Sequence, residues 1–328
     1  MMISVVIPFL NEERFIRPCV ESVLAQDYGK DNLEILFVDG GSQDGSRKVI
    51  EGFLSSNKNM RLLENPKKIV SSGLNIGIRD ARGEHVLILS GHAALESGYI
   101  SSCVRKMDEN GAGCVGGKVV MAAEGFIKKA ISMARTSLIG GSILPHRYSK
   151  QGCFARTAAY GLYKKEVFGK IGLFDESMKH DQDEELNWRI FKDGLKIYFN
   201  PEAKASYLLK RDLVGVSRQL FRHTYWKAKT AKKHPGFLKF RFIIPSLFFL
   251  DLVFFLIAGA FWPLFFYIFA IQLMLYLAVV FTFSLYLAFK NGLRYLFALP
   301  TVYLSIHLST ALGLLAGFIT RGRDEKKK

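Results

Sequence analysis

The chain has 328 residues, a length that suits about two domains, and combines 49% hydrophobic residues with a formal net charge of +16. Between Phe242 and Thr320 the only formal charges are Asp251, Lys290 and Arg294, while Lys210–Arg241 holds ten Lys/Arg against Asp212 alone. Basicity gathered beside an apolar block argues against nucleic acid as a partner and for anionic lipid headgroups, at about 1 kcal/mol per basic residue. Cys19, Cys103, Cys114 and Cys153 form no CxxC and meet no His at zinc-finger spacing, so we read them as reduced core thiols. The first apolar run stops at Asn11-Glu12-Glu13 with no basic segment ahead of it, which argues against a signal peptide.

In chain order, Ile3–Phe9 is a short β-branched run expected to be a buried strand, followed by a helix over Phe15–Leu24. Glu34–Val38 is the second strand and runs into the turn Asp39-Gly40-Gly41-Ser42-Gln43-Asp44-Gly45. A helix marked by Val49, Phe53 and Leu54 and a strand at Met60–Leu63 come next. Ser71–Arg82 reads as a helix, and His85–Leu89 as a strand opening into Ser90-Gly91-His92. Cys114–Val120 and Tyr160–Lys165 are further strands, Glu124–Ile139 a helix, and Leu195–Phe199 a strand ended by Asn200-Pro201. Gly140-Gly141 and Pro145–Gln151 read as a Gly/Pro/basic loop, suited either to closing over a ligand or to a plain surface. Lys164 and Lys165 face either phosphates or solvent. Strands alternating with helices predict an α/β fold, a mostly parallel sheet with helices on both faces. Ligands in such sheets bind past the carboxyl ends of the strands, where these polar clusters fall.

The turn at Asp39–Gly45 has glycines that let backbone approach a ligand and carboxylates that can accept from a base N–H or ribose hydroxyls. It lacks GK[ST], so it is not a P-loop, and an ordinary strand-to-helix turn with Asp caps would look similar. Gly172–Arg189 (GLFDESMKHDQDEELNWR) concentrates acid in a basic protein. Asp181 and Glu184 have capping-box spacing, which would start a helix. Asp183 would then share a face with Leu186 and Ile190 and turn inward with them, a candidate general base. Glu185 and Arg189, four apart, can pair on another face. A solvated acidic helix start is the alternative.

The motifs IPFLNEE, VDGGSQDGS, GLNIGIRDARGE, GLFDE, QDEELNWR and QLFRHTYW occur in an order that resembles the family 2 glycosyltransferases of GT-A fold. Within that family the chain is most similar to membrane-anchored bacterial exopolysaccharide glucosyltransferases of the succinoglycan-assembly type. The resemblance spans roughly Ile3–Trp226. It implies that Pro8, Glu12, Asp39 and Asp44 handle the uridine part of a UDP-sugar donor. Asn75, Gly77 and Arg79 would line the donor pocket near its phosphates, with Ser90 and His92 beside them. Asp183 takes the place of the catalytic base, with Gln182 where the family has Glu. Gln219, Arg222 and Trp226 resemble a loosened Q-x-x-R-W that holds the acceptor end and pyrophosphate.

The departure lies at the metal triplet, Ser90-Gly91-His92, where the family carries two Asp. His92 can ligate Mn²⁺ but suits Mg²⁺ poorly, since Mg²⁺ prefers oxygen. Three readings stand: a divalent metal (Mn²⁺ or Mg²⁺) held by His92, metal-free catalysis with Arg or Lys, or a degenerate site.

The expected organisation is a GT-A catalytic domain at 1–209, a basic amphipathic interfacial neck at 210–241, a transmembrane region at 242–320 and a basic tail at 321–328. Ile243–Trp262, Leu264–Phe289 and Leu293–Ile319 are each long enough to cross a bilayer. Three crossings would put the basic tail opposite a cytoplasmic catalytic domain, against the positive-inside rule. Pro300, His307 and their polar neighbours allow the third segment to be re-entrant or packed on the others. Asp251 in the first span needs a partner. The expected protein is an inverting sugar transferase of the cytoplasmic membrane, multi-pass, with a UDP-sugar donor and a polyprenyl-diphosphate-linked acceptor; a homo-oligomer is allowed. The alternatives are transfer to polyprenyl phosphate itself and a non-catalytic membrane-bound scaffold.

Overall fold

The computed structural model describes residues 1–140, 149–208 and 212–320. The described chain divides into two compact units, one of residues 1–122 with 149–208 and one of residues 123–140 with 212–320. The loop expected around residues 141–148, the 209/210 boundary and the basic tail lie outside the described residues.

The elements run β1 (Ile3–Phe9), α1 (Glu13–Leu24), β2 (Leu33–Asp39), α2 (Ser46–Leu54), β3 (Met60–Glu64), α3 (Val70–Asp80), β4 (His85–Ile88), β5 (Ala93–Leu95), α4 (Tyr99–Asn110) and β6 (Cys114–Ala122). Helix α5 (Phe126–Thr136) belongs to the second unit. The first unit resumes with β7 (Cys153–Ala155), β8 (Ala159–Lys164), α6 (Lys165–Ile171), α7 (Gln182–Lys192) and β9 (Ile197–Leu208).

Among the described residues nine strands form one sheet, ordered β3-β2-β1-β4-β8-β6-β9-β5, with β7 also on β9. The strands from β3 to β4 are mutually parallel. From β8 onward the sheet is mixed: β8 is antiparallel to β4 and β6, β6 is parallel to β9, and β5 and β7 are antiparallel to β9. Period-two alternation feeds a core on each face. Val5 and Ile7 of β1 join one, with α1, α2 and α4. Val6 joins the other, with α3, α6 and α7. Gly77 permits α3 to approach this closely, since a Cβ there would lie 2.3 Å from Val6 Cγ1.

Asn200-Pro201 does not end the last strand as expected. β9 continues through it to Leu208 because the register against β6 shifts between Gly117 and Lys118, and the irregularity absorbs a residue with no N–H to donate. The three-residue strands β5 and β7 carry too little pattern to be read from sequence. Lys164 pairs with His85 at the start of β4, the sheet end away from the strand carboxyl termini, and Lys165 Nζ donates to Ala81 O. Neither lysine therefore meets a ligand placed past those termini.

The second unit contains α8 (Leu213–Lys233), α9 (Phe240–Gly259), α10 (Pro263–Asn291) and α11 (Ala298–Ile319) besides α5. Asp212 caps α8 by accepting from the Gly215 N–H at 2.8 Å. Three stretches, Phe242–Gly259, Pro263–Asn291 and Leu293–Ile319, are long and apolar enough to cross a membrane. α9 and α10 form a hairpin: Pro263 starts α10, and Gly259 lies so close to Phe266 that a Cβ would come within 2.9 Å. Asp251 receives its partner inside this hairpin, a hydrogen bond from Gln272 Nε2 at 2.7 Å. Gly313 and Gly317 set α11 against the α8 backbone; a Cβ on them would lie 2.3 Å from Phe221 O and 2.4 Å from Tyr225 O.

Candidate active site

The loops after β1 and β2 are laced into one floor. The Glu12 N–H donates to Ser46 Oγ at 2.7 Å, and the Glu13 N–H to Asp44 Oδ2 at 3.1 Å. Asn11 accepts from the Gln43 N–H at 2.8 Å and donates its own N–H to Ser42 Oγ at 3.1 Å. Asp39 is buried, and its Oδ1 accepts from the Gly41 N–H, the Ser42 N–H and the Ser42 hydroxyl. That turn needs Gly41 at φ +83°, where a side chain would be strained. Asp44 is exposed. Burial works to raise its carboxyl, but hydrogen bonds from the Ser46 hydroxyl and from the Ser46 and Glu13 N–H groups outweigh it and hold it below the usual range.

The triplet after β4 sits against this floor. His92 Nδ1 lies 2.9 Å from Glu12 Oε1, and its ring meets Tyr207 edge-on at 5.2 Å. With Nδ1–H donating to the carboxylate, Nε2 keeps its lone pair, the arrangement that orients a metal-ligating histidine. No group of three or more His, Cys, Asp or Glu able to hold a metal occurs among the described residues. The donor set therefore fits a cation only if most ligands come from a bound diphosphate.

Asp183 is exposed in the first turn of α7, not turned inward. Leu186 and Ile190 of the same stripe are fully buried. Asp183 tops that stripe where the helix emerges from the core. The expected capping box does not form either: Asp181 stands at the N-cap with φ 64° and makes no side-chain cap hydrogen bond. α7 is anchored instead from its other end. Glu185 and Arg189 form a two-pronged pair, both prongs at 2.8 Å, and the Arg189 guanidinium also donates to Ile171 O and Leu173 O. Asn75 grips the same loop from α3, accepting from the Phe174 N–H and donating to Phe174 O and Glu176 Oε1. Lys67 and Asn75 hold the Glu176 carboxyl below the usual range. Asn75 is thus engaged in fixing the GLFDE loop.

Tyr160, which was not singled out by sequence, lies against Ser90 of the triplet. It has a left-handed φ of 48°, held where the Tyr99 hydroxyl donates to its carbonyl at 2.8 Å. Burial pushes its phenol up; Tyr207 and Cys19 lie close, the phenol hydrogen-bonds the Ser90 side chain, and the charge of Asp183 reaches it. Ser90 thus lies against Tyr160, and Asp183 is within electrostatic reach of the same phenol. A positive φ at a tyrosine leaves no mark in sequence, which is why the residue escaped notice.

Of the other expected residues, Pro8 is half-buried in β1, Arg79 is exposed on α3 and Gln182 is half-buried at the head of α7. Gln219, Arg222 and Trp226 stand on α8 in the second unit. Cys19, Cys103 and Cys114 are buried free thiols and Cys153 is a partly buried one. Burial pushes the Cys19 thiol up to about 12 and the other two buried thiols higher still.

A mixed sheet with carboxylates beyond its parallel strands and an acid-headed helix beside them defines a GT-A-type transferase scaffold. The glycosyl transferase family 2 model matches residues 4–172, and the chain belongs to that family. It is 29% identical over 326 residues to a Methanococcus voltae enzyme named dolichyl N-acetyl-alpha-D-glucosaminyl phosphate 3-beta-D-2,3-diacetamido-2,3-dideoxy-beta-D-glucuronosyltransferase, covering 97% of each chain. It is also 29% identical over 245 residues to the succinoglycan biosynthesis protein ExoA of Rhizobium meliloti, covering 74% of this chain and 73% of that one. Among solved structures it resembles the mannosyltransferase PcManGT from Pyrobaculum calidifontis, in complex with GDP-Man and Mn²⁺, with TM-score 0.61 and 18% identity over 95% of this chain and 86% of that one. It also resembles S. aureus TarS 1-349 in complex with UDP-GlcNAc, with TM-score 0.51 and 16% identity over 76% and 72%. These likenesses establish the fold. The chain is a family 2 glycosyltransferase.

Proposed function

We propose that this protein moves a sugar from a UDP-sugar to a sugar already carried on a polyprenyl phosphate or diphosphate, at the cytoplasmic membrane face and with inversion. The observation that carries it is Asp183, open to an incoming acceptor at the head of α7 and within electrostatic reach of Tyr160, which hydrogen-bonds Ser90. Asp183 accepts the proton of the acceptor hydroxyl as its oxygen bonds to the anomeric carbon and the bond to UDP breaks. One displacement needs one base and a stabilised leaving group, with no protein nucleophile.

Asp39 and Asp44 serve uridine, Glu12 orients His92, and Asn75 acts as a positioning residue. A divalent cation, Mn²⁺ more readily than Mg²⁺, would be held by His92 Nε2 and the donor's oxygens; when bound it supplies charge to the leaving diphosphate. A lipid-linked sugar as acceptor is favoured over the bare polyprenyl phosphate by the acceptor named for the Methanococcus relative, which aligns over 97% of both chains. The test is the full chain in detergent, offered UDP-sugars and a polyprenyl-linked sugar with and without Mn²⁺. Asp183→Asn should lower turnover by about 10²–10⁴-fold while nucleotide binding is kept. Unchanged turnover would remove Asp183 as base, and wild-type protein that neither binds UDP nor releases it would point to a scaffold.

A further inference from the structure

The three apolar helices of the second unit do not behave alike. The spans of α9 and α10 are each 6% buried, whereas that of α11 is 39% buried. The difference comes chiefly from α8, with α5 and the hairpin adding to it: Ser246 of α9 donates to Ala311 O at 3.2 Å, and the Tyr276 hydroxyl of α10 meets His307 Nδ1 at 2.9 Å. α11 lies along α8 with both chains running the same way: Gly313 meets Phe221 and Thr224, and Gly317 meets Tyr225 and Ala228. Further on, Lys232 Nζ donates to Gly317 O and Phe318 O, and Lys229 Nζ to Thr320 O. These ammonium groups satisfy the free carbonyls at the end of α11 and oppose its dipole. Near its start, α11 is tied to the α5 segment, where Tyr303 donates to Ser137 Oγ and His307 Nε2 meets Ile139 O at 2.6 Å.

α8 cannot share a bilayer crossing. Its 21 residues include six Lys/Arg, and Arg218 and Arg222 are exposed. Ionised side chains at the bilayer centre are excluded unless paired. A helix fixed lengthwise against α8 by two glycines therefore stays at α8's depth. α11 also keeps an apolar outer stripe, with Leu304, Leu308 and Leu312 exposed. That combination, basic on one helix and apolar on the companion, suits a headgroup–acyl boundary.

We infer that the chain crosses the bilayer twice, as the α9–α10 hairpin, and that α11 is an interfacial helix docked along α8. The partner of the α8–α11 pair is an anionic lipid surface. The two ends of the hairpin return to one face, so the C-terminal end of α11 lies on the face that carries α8. The tail Arg321–Lys328 is then on the side with α8's lysines, and the conflict of three crossings with the positive-inside rule disappears.

The experiment places single reporter cysteines in a Cys153→Ser background of the full chain, in sealed membrane vesicles of known orientation. The three remaining native thiols are buried. Lys233→Cys reports α8, Ala260→Cys the hairpin tip and Lys326→Cys the tail, and a membrane-impermeant maleimide is added from one side. None of the three replaced residues supplies a contact named above between α8 and α11. Lys233→Cys and Lys326→Cys should label from the same side, and Ala260→Cys only from the other. Labelling of Lys326→Cys together with Ala260→Cys would make α11 a third crossing and overturn the inference. A C-terminal reporter domain active on only one side separates the same two arrangements without any cysteine: activity on α8's side supports two crossings, and activity on the opposite side overturns them.

Discussion

At the scale of single residues, the site depends on two carboxylates with opposite surroundings. Asp183 is exposed at the head of α7, so it can meet a substrate without first being uncovered. Glu12 is nearly buried and is occupied by His92. If that pair orients a ligating imidazole, Glu12→Gln should weaken Mn²⁺ affinity about 10–100-fold, as outer-shell partners usually do. Titrating Mn²⁺ against UDP binding measures this, and equal titrations for both proteins would make the pair merely structural. The residue identities were legible because the motifs fix them. Their exposure was not. Helical periodicity put Asp183 on the same stripe as Leu186, but a stripe has ends, and only the packed structure shows which end meets water. The αL backbone of Asp181 and Tyr160 is likewise set by tertiary contacts.

At the scale of elements, the parallel half of the sheet has an internal lock. Glu34 on β2 accepts from the Ser4 hydroxyl of β1 at 2.6 Å, the Arg82 N–H at 2.9 Å and the Arg61 guanidinium of β3 at 2.7 Å. Burial works to raise the Glu34 carboxyl, but these donors outweigh it and hold it below the ordinary glutamate range. Since the folded value is the lower one, the stabilisation is full above the unfolded pKa of about 4.5 and is lost as pH falls through the folded value. Glu34→Gln should therefore unfold more easily at neutral pH, by about 1–3 kcal/mol. The gap to wild type should close in acid below pH ~4.5, read by thermal unfolding across pH. A gap independent of pH would show that the cost is steric. The strands of this half were readable since each is a dense β-branched run. β9 was cut short because Asn200-Pro201 is a strong local stop, and the offset against β6 that accommodates it is a property of two strands together.

At the scale of the whole molecule, a polar catalytic unit and an apolar helical unit share one chain. Phe254, Ile257, Phe261, Trp262 and Phe266 around the hairpin tip are all largely exposed, an arrangement that water would not tolerate. An alkaline carbonate wash, which strips proteins bound by charge, should leave the chain in the membrane pellet, and detergent should release it. Release by carbonate alone would mean that the hairpin does not insert. The three apolar segments were plain in the sequence from length and composition. Which of them is braced by a charged helix was hidden, because glycines spaced four apart acquire meaning only once the opposing backbone is known.

The all-parallel half of the sheet ends where β8 turns antiparallel against β4. The residues proposed to grip the nucleotide precede that seam in the chain, and Asp183 with the lipid-facing helices follows it. In the proposed function, recognition of the incoming sugar nucleotide and recognition of its recipient fall to consecutive stretches of gene. Under that function, exchanging the first stretch alone would change the donor while leaving the recipient's half of the protein untouched.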